Sequence, residues 1–286
     1  MSYRFHHRLR VRWAEVDAQQ VVFNGHYLNY LDVAVTEFWR HVGLPYPGAW
    51  QDLGADIFVR RNVLEYHAPA VLDDRLNVAV RIGRLGNSSI SLNWALSRDG
   101  RLLVDGEVVY VCVALADGRP MRLPEAARQQ LEAHEAGRDA WQLTMGGWAA
   151  LGDAAASVRR SVFIDEQGID ESEEWDDDDL RATHVVLSNL WGWPVATGRL
   201  IPGDEPGAAR IGRMAVLRCA RGAGLGRRVL LALMDEARTQ GRFDLSLHAQ
   251  CSAQPLYASA GFQPEGEVFD EVGIPHQKMV LRLSAA

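Results

Sequence analysis

Cysteine is scarce in this chain of 286 residues: three occur, Cys112, Cys219 and Cys251, scattered and without CxxC spacing. An odd number of isolated thiols argues against a disulfide framework and suggests no metal site, which points to a reducing, cytoplasmic setting. Long apolar runs are missing too. No stretch reaches the ~18 uninterrupted apolar residues of a membrane span, and the opening "MSYRFHHRLR" is polar and basic with no apolar segment behind it. We expect neither a membrane anchor nor a targeting signal. A surplus of positive charge is absent as well. The formal net charge of −7 works against a nucleic-acid partner, because binding a phosphate backbone draws on clustered cations that release counterions.

What is present is the composition of a folded protein, 48% apolar and 23% charged, on a chain long enough for two cores. Residues 5–13 alternate like a strand, and "DAQQVVFNG" leads into a helical spacing of Leu28, Leu31, Val35, Phe38 and Val42, closed by Gly43. Four β-rich segments follow, near 57–67, 75–84, 88–98 and 101–116, with hairpin punctuation at "RLGN" and "SRDGR". After a short polar helix and a hinge, the pattern restarts near residue 138. A helix at 148–163 precedes the acidic run "DESEEWDDDD", for which a solvated loop is the favoured reading, with Arg199 and Arg213 as candidate partners of its acids. Strands at 183–189, 194–201 and 209–217, a helix at 224–240, a strand at 243–249, a short helix at 252–259 and terminal strands then suggest a mixed α/β sheet. No internal repeat links the halves.

"VRWAEVDAQQVVFNGHYLNYLD" and "VLEYHAPAVLDDRLNVAVRIGRLGNSSISL" together resemble 4-hydroxybenzoyl-CoA and YbgC-type acyl-CoA thioesterases of the hot-dog fold. The resemblance covers about residues 3–133 and implies an antiparallel sheet wrapped around one long helix. Thioester hydrolysis needs a group that attacks the carbonyl or activates water, and donors for the developing oxyanion. The resemblance makes Asp17 the nucleophile or general base. The amides of Gly25, His26 and Tyr27, at the positive end of the helix dipole, supply the donors. This chain carries Asn24 where such enzymes usually carry histidine, and the nearest imidazole, His26, is the candidate to orient water or the substrate carbonyl if it faces the site. Asn24 is then an N-cap candidate, Glu15 is expected to point to solvent, and Gly86 and Ser88 form a hairpin turn. The family also implies a homo-oligomer, a dimer or tetramer through the hot-dog domain.

"IGRMAVLRCARGAGLGRRVLLALMDEA" runs a strand into a glycine-rich turn and then a helix. Glycines let backbone approach a ligand closely, and successive amides at the helix start suit a pyrophosphate. The dinucleotide pattern GxGxxG is absent. The form R-x-x-G-x-G, with "HAQCSAQPLYASAGF", "SVFIDEQG", "ATGRL" and "GIPHQKM" in order, resembles GNAT N-acetyltransferases of the ElaA-like branch over about residues 141–283. This implies acetyl-CoA held by the backbone of Met214, Ala215 and Val216 and by the loop Arg221, Gly222, Ala223, Gly224, Leu225 and Gly226. It makes Tyr257 the general acid for the leaving thiolate. Glu166, Glu174 and His276 remain open as the base for the amine.

The expected fold is α+β, with a hot-dog domain over residues 1–136 and a GNAT mixed α/β domain over 137–286. The expected activity is twofold, acyl-CoA hydrolysis and acetyl transfer to an amine. The alternative is that one domain is catalytically silent and serves for CoA binding or oligomerisation. Acyl-CoA and acetyl-CoA enter as substrates, an amine as acceptor, and no tightly bound cofactor is expected.

Overall fold

Strict alternation over residues 89–98 defines one face of a sheet: Ile90, Leu92, Trp94 and Leu96 are buried while their neighbours are half-buried, the period-two pattern of a strand covered on one side. The computed structural model describes residues 3–284 and divides into two units, Met1–Ala140 and Trp141–Ala286.

In the first unit the strands are β1 (Phe5–Arg10), β2 (Ala55–Tyr66), β3 (Arg75–Leu85), β4 (Ser89–Arg98) and β5 (Arg101–Ala114). They pair antiparallel in the order β1-β3-β4-β5-β2. Helix α1 (His26–His41) packs on β1 and β3, and α2 (Gly48–Asp52) and α3 (Glu125–Glu135) are shorter. Fully buried Phe38 has Phe5 at 5.6 Å and His134 at 5.5 Å, centroid to centroid. The buried stripe of α1 is Tyr27, Tyr30, Leu31, Ala34, Val35, Phe38 and Trp39. Leu28, expected in that stripe, is 38% exposed, because Tyr27 and Tyr30 take the core side of the first turn. Strand β1 also ends earlier than expected. The Arg12 amide donates to the Glu15 carboxylate, and a 3-10 turn at Trp13–Glu15 bends the chain away.

The second unit holds β6 (Trp141–Gly146), β7 (Thr183–Asn189), β8 (Pro194–Pro202), β9 (Ala208–Val216), β10 (Asp244–Gln250), β11 (Gln263–Glu271) and β12 (Ile274–Arg282). Their order is β11-β12-β10-β9-β8-β7-β6, antiparallel except for β9 and β10. Strand β6 was not anticipated: it is an edge strand paired only with β7, and Trp141 is its one buried side chain, so no alternation marks it. The helices are α4 (Trp148–Arg159), continued by a π-type segment to Glu166, then α5 (Glu171–Glu174), α6 (Asp178–Arg181), α7 (Leu225–Thr239) and α8 (Gln254–Ala258). Val195 through Ile201 of β8 are all buried, as for a central strand with helices on both faces. Gly198 permits that packing, since a Cβ there would meet Met214 Sδ at 2.5 Å and Leu233 Cδ1 at 2.9 Å.

Two irregularities shape the middle of this sheet. The parallel pairing of β9 with β10 spans only Ala208–Arg210 against Asp244–Ser246. Beyond it the two strands part. In the same stretch β9 bulges against β8 between Thr197 and Arg199, with Arg213 at φ +49°, so the strand bends just where its β10 side is open.

Candidate active sites

Glu15 and Asp17 have opposite fates. Glu15 is buried, not solvent-facing, and its carboxylate accepts from the Arg12 amide, Arg12 Nε and the Tyr30 hydroxyl, each at 2.7 Å. Burial raises its pKa, but these three donors outweigh that and hold the carboxyl below its ordinary value. Its carbonyl also accepts from the Phe23 amide at 3.0 Å. Glu15 thus ties the loop to α1. Asp17 is half-buried at the loop's turn, where its carboxylate accepts from the Gln19 amide at 2.8 Å and its own amide donates to Val21.

The start of α1 differs from expectation in two respects. The His26 amide is spent on the Phe23 carbonyl at 2.9 Å, which leaves Gly25 and Tyr27 as the candidate oxyanion donors of the expected three. Asn24 is not the cap: Gly25 occupies that position without a side-chain bond, and Asn24 is exposed, its carbonyl accepting from the Tyr66 hydroxyl at 3.2 Å. Gly25 is itself already helical in φ and ψ, −66° and −26°, and the His26 amide that an Asn24 side chain could cap is taken by the Phe23 carbonyl. His26 is half-buried, and its Nδ1 lies 3.1 Å from Asn29 Nδ2. The Tyr27 hydroxyl accepts from the Ala70 amide at 3.0 Å and anchors the helix start. Around the loop, Trp13, Phe23, Val71 and Leu72 are exposed.

Gly86 and Ser88 lie in the β3–β4 turn, closed by the Gly86 amide on the Ser89 carbonyl at 2.8 Å. Elsewhere in this unit Glu65 stands directly opposite Asp105, and with His67 these residues bring ligand atoms within 4.8 Å of one another. They are the set that could hold a metal ion among the described residues. Only strand register reveals them; no motif does.

In the second unit a cleft of about 260 Å³ opens where β9 and β10 part. Met214 and Tyr257 both line it, with Phe163, Gln167, Arg213, His248, Gln250, Glu271 and His276. The Tyr257 ring is 7% exposed and packs edge-on against Phe262; burial pushes its phenol up to about 12. Ala215 and Val216 continue β9 opposite Thr197 and Ala196, so their β8 side is paired. The segment Arg221 to Gly226 forms the turn between β9 and α7, outside the residues that line the cleft. Gly222 at φ +90° and Gly224 at φ +75° take left-handed conformations that side chains disfavour. Leu225 and Gly226 then begin α7, whose first amides lack intrahelical acceptors. Arg227, exposed in that first turn, adds positive charge.

The Arg221 side chain holds the loop to its neighbours. Its guanidinium grips Glu166 through two bonds of 2.7 and 2.8 Å and donates through Nε to the Val216 carbonyl at 3.0 Å. The Arg221 bond holds the Glu166 carboxyl below its ordinary pKa. Loop and base candidate are locked together.

The acidic run is no solvated loop. It folds into α5 and α6, and Glu174 and Asp179 are buried against Arg159, Arg199 and Arg213. Arg159 bonds Glu174 at 2.5 Å and Asp179 at 2.7 Å, Arg199 bonds Asp176 and Asp179, and Arg213 bonds Asp176 and the Glu174 carbonyl. Burial raises the pKa of Glu174, with the arginines opposing it. Arg199 and Arg213 are thus the partners that the sequence suggested, whereas Arg159 and the burial of Glu174 and Asp179 carried no local signal. The pairs His248–Glu271, at 3.0 Å, and Gln167–Gln250, at 3.0 Å, were also missed.

A sequence profile of the thioesterase-like superfamily matches residues 11–131, and one of the acetyltransferase (GNAT) domain matches residues 192–283. The acyl-CoA thioester hydrolase YbgC of Escherichia coli O157:H7 is 31% identical over 41% of this chain and 88% of its own length. The N-acetyltransferase YjcF of Bacillus subtilis is 34% identical over 43% of this chain and 86% of its own. A crystal structure of an N-acetyltransferase from Lactobacillus plantarum aligns at 29% identity with a TM-score of 0.48, over 51% of this chain and 100% of that one. The five-stranded sheet with its long helix therefore belongs to the hot-dog thioesterase-like superfamily, and the splayed seven-stranded sheet to the GNAT acetyltransferases.

Proposed function

We propose that this chain is a bifunctional enzyme of CoA thioesters, with an acyl-CoA thioesterase domain at residues 1–136 and a GNAT N-acetyltransferase domain at 137–286. The observation that carries the reading is the gap between β9 and β10, which leaves Gly212 to Val216 without a strand partner on that side. A pantetheine arm bears amides of its own and can lie along such an edge, with its pyrophosphate at the amides that open α7. The carbonyl carbon of acetyl-CoA then sits in the cleft beside Tyr257. There the phenol gives its proton to the departing thiolate as the amine forms the new C–N bond.

In the first domain, Asp17 acts as nucleophile or general base toward the thioester carbonyl. The amides of Gly25 and Tyr27 hold the oxyanion, and such a donor is commonly worth about 3 kcal/mol in the transition state. His26 orients the substrate or water. The likeness to the acyl-CoA thioester hydrolase YbgC and to the N-acetyltransferase family of YjcF supports both halves of this assignment. The exposed apolar residues around Asp17, and the long open edge of β2 with Phe58 and Val59 exposed, support a homo-oligomer built through this domain. CoA thioesters enter as substrates of a cytoplasmic protein.

A second reading has one observation in its favour. Asn24 presents an exposed amide where related thioesterases usually carry an imidazole, as suits a domain kept for CoA binding or oligomerisation. Thiol release from a panel of acyl-CoAs by the full chain, with and without amine acceptors, separates the readings. Both amine-independent and amine-stimulated release are expected. One without the other assigns the silent domain to binding, and neither overturns the proposal.

A further inference from the structure

Acetyl transfer needs a group to take a proton from the incoming amine. We infer that His276 is that proton acceptor, an assignment that rests on the transfer activity proposed for this domain. Of the carboxylates considered with it, Glu166 is gripped by Arg221 through two bonds. Glu174 is buried between Arg159 and Arg213. Glu166 lies outside the residues that line the cleft, and a proton placed on Glu174 would leave its buried arginines without their counter-ion.

His276 is differently placed. It is nine-tenths buried, lines the cleft, and stands opposite Gln250 of β10 and Phe269 of β11. Its ring lies nearly parallel to that of Phe269, 27° apart at 6.2 Å. Nδ1 is 2.8 Å from the Ile274 carbonyl oxygen. A carbonyl only accepts, so Nδ1 carries the hydrogen and the neutral ring keeps its lone pair on Nε2. Packing and one hydrogen bond thus fix both the plane and the tautomer. The other charged or titratable groups facing the cleft are accounted for: His248 is engaged with Glu271 at 3.0 Å, Asp176 with Arg199 and Arg213, Arg210 with Asp178, and Tyr257 is the acid.

The step balances. Nε2 takes one proton from the ammonium, and the freed lone pair forms the C–N bond as the C–S bond breaks. Tyr257 protonates the sulfur and recovers its proton from the new amide nitrogen, while the imidazolium releases the first proton to solvent.

The test is amine-dependent CoA release by the full chain, measured against pH. His276→Gln keeps a polar side chain but cannot take the proton, so kcat/KM for the amine falls about 10²-fold near neutrality, with KM for acetyl-CoA unchanged. The deficit shrinks as pH rises and solvent deprotonates the amine. A deficit that is the same at every pH overturns the assignment of His276 while leaving the transfer reading intact. Absence of any amine-dependent release by the wild-type chain overturns both.

Discussion

Tyr257→Phe removes one oxygen from a ring that is 7% exposed. Its packing against Phe262 is retained, so the fold loses little. The chemistry is affected far more. Burial pushes the phenol up to about 12, whereas an ordinary thiol ionises near 8.5. The gap is roughly 3.5 units, or about 5 kcal/mol against complete transfer to a free thiolate. The proton therefore moves only as charge builds on the breaking C–S bond, and the hydroxyl donates to that charge throughout. Losing such an acid costs about 10² to 10⁴ in rate, or roughly 3 to 5 kcal/mol of barrier. The assay is steady-state acetyl transfer from pH 6 to about 10, well below the raised phenol. We expect kcat to collapse with KM for acetyl-CoA unchanged, and no basic limb in the wild type that Tyr257→Phe abolishes. A change below threefold, or such a limb near the ordinary phenol value of ~10, refutes the reasoning.

Other variants probe the remaining parts. Asp17→Asn preserves the acceptor for the Gln19 amide but removes the base, so amine-independent hydrolysis should drop at least about 10²-fold with melting unchanged. Arg159→Met leaves Glu174 and Asp179 buried with one cation fewer, a loss of about 3 to 5 kcal/mol. Calorimetry of the full chain should show it, and adding Asp179→Asn should recover part. Glu15 has a folded pKa below its ordinary value, so its stabilisation is present above the unfolded carboxyl pKa and is lost as pH falls through the depressed one. Urea midpoints measured between about pH 3 and 6 should therefore fall on acidification more steeply in the wild type than in Glu15→Gln. Equal slopes would count against the role given to that carboxylate.

The fold was legible wherever burial is one-sided. The alternation of Ile90, Leu92, Trp94 and Leu96 and the glycine-closed helices carried their own signals. Edge strand β6 did not, because with only Trp141 buried it has no face to advertise. Within the candidate sites, local motifs singled out Asp17 and Tyr257 as candidates and located the turn at Gly222 and Gly224. Contacts that depend on long-range register stayed hidden. Glu15 meets Tyr30 fifteen positions on, Arg221 meets Glu166 fifty-five positions back, and the acidic run is buried on Arg159 as well as on the Arg199 and Arg213 that the sequence suggested. A charged stretch reads as solvated when its partners are not adjacent in the chain.

Arg213 sits in a backbone conformation that costs a non-glycine residue about 1 to 2 kcal/mol. Its guanidinium reaches across to the Glu174 carbonyl, 39 positions earlier. The acidic segment thereby acts as a splint on β9, keeping the strand bent away from its parallel neighbour before any guest arrives. The opening is preassembled: under the proposed function a thiol carrier need not prise two strands apart, and damage to the splint would be felt as a narrowed doorway rather than as a missing reactive group.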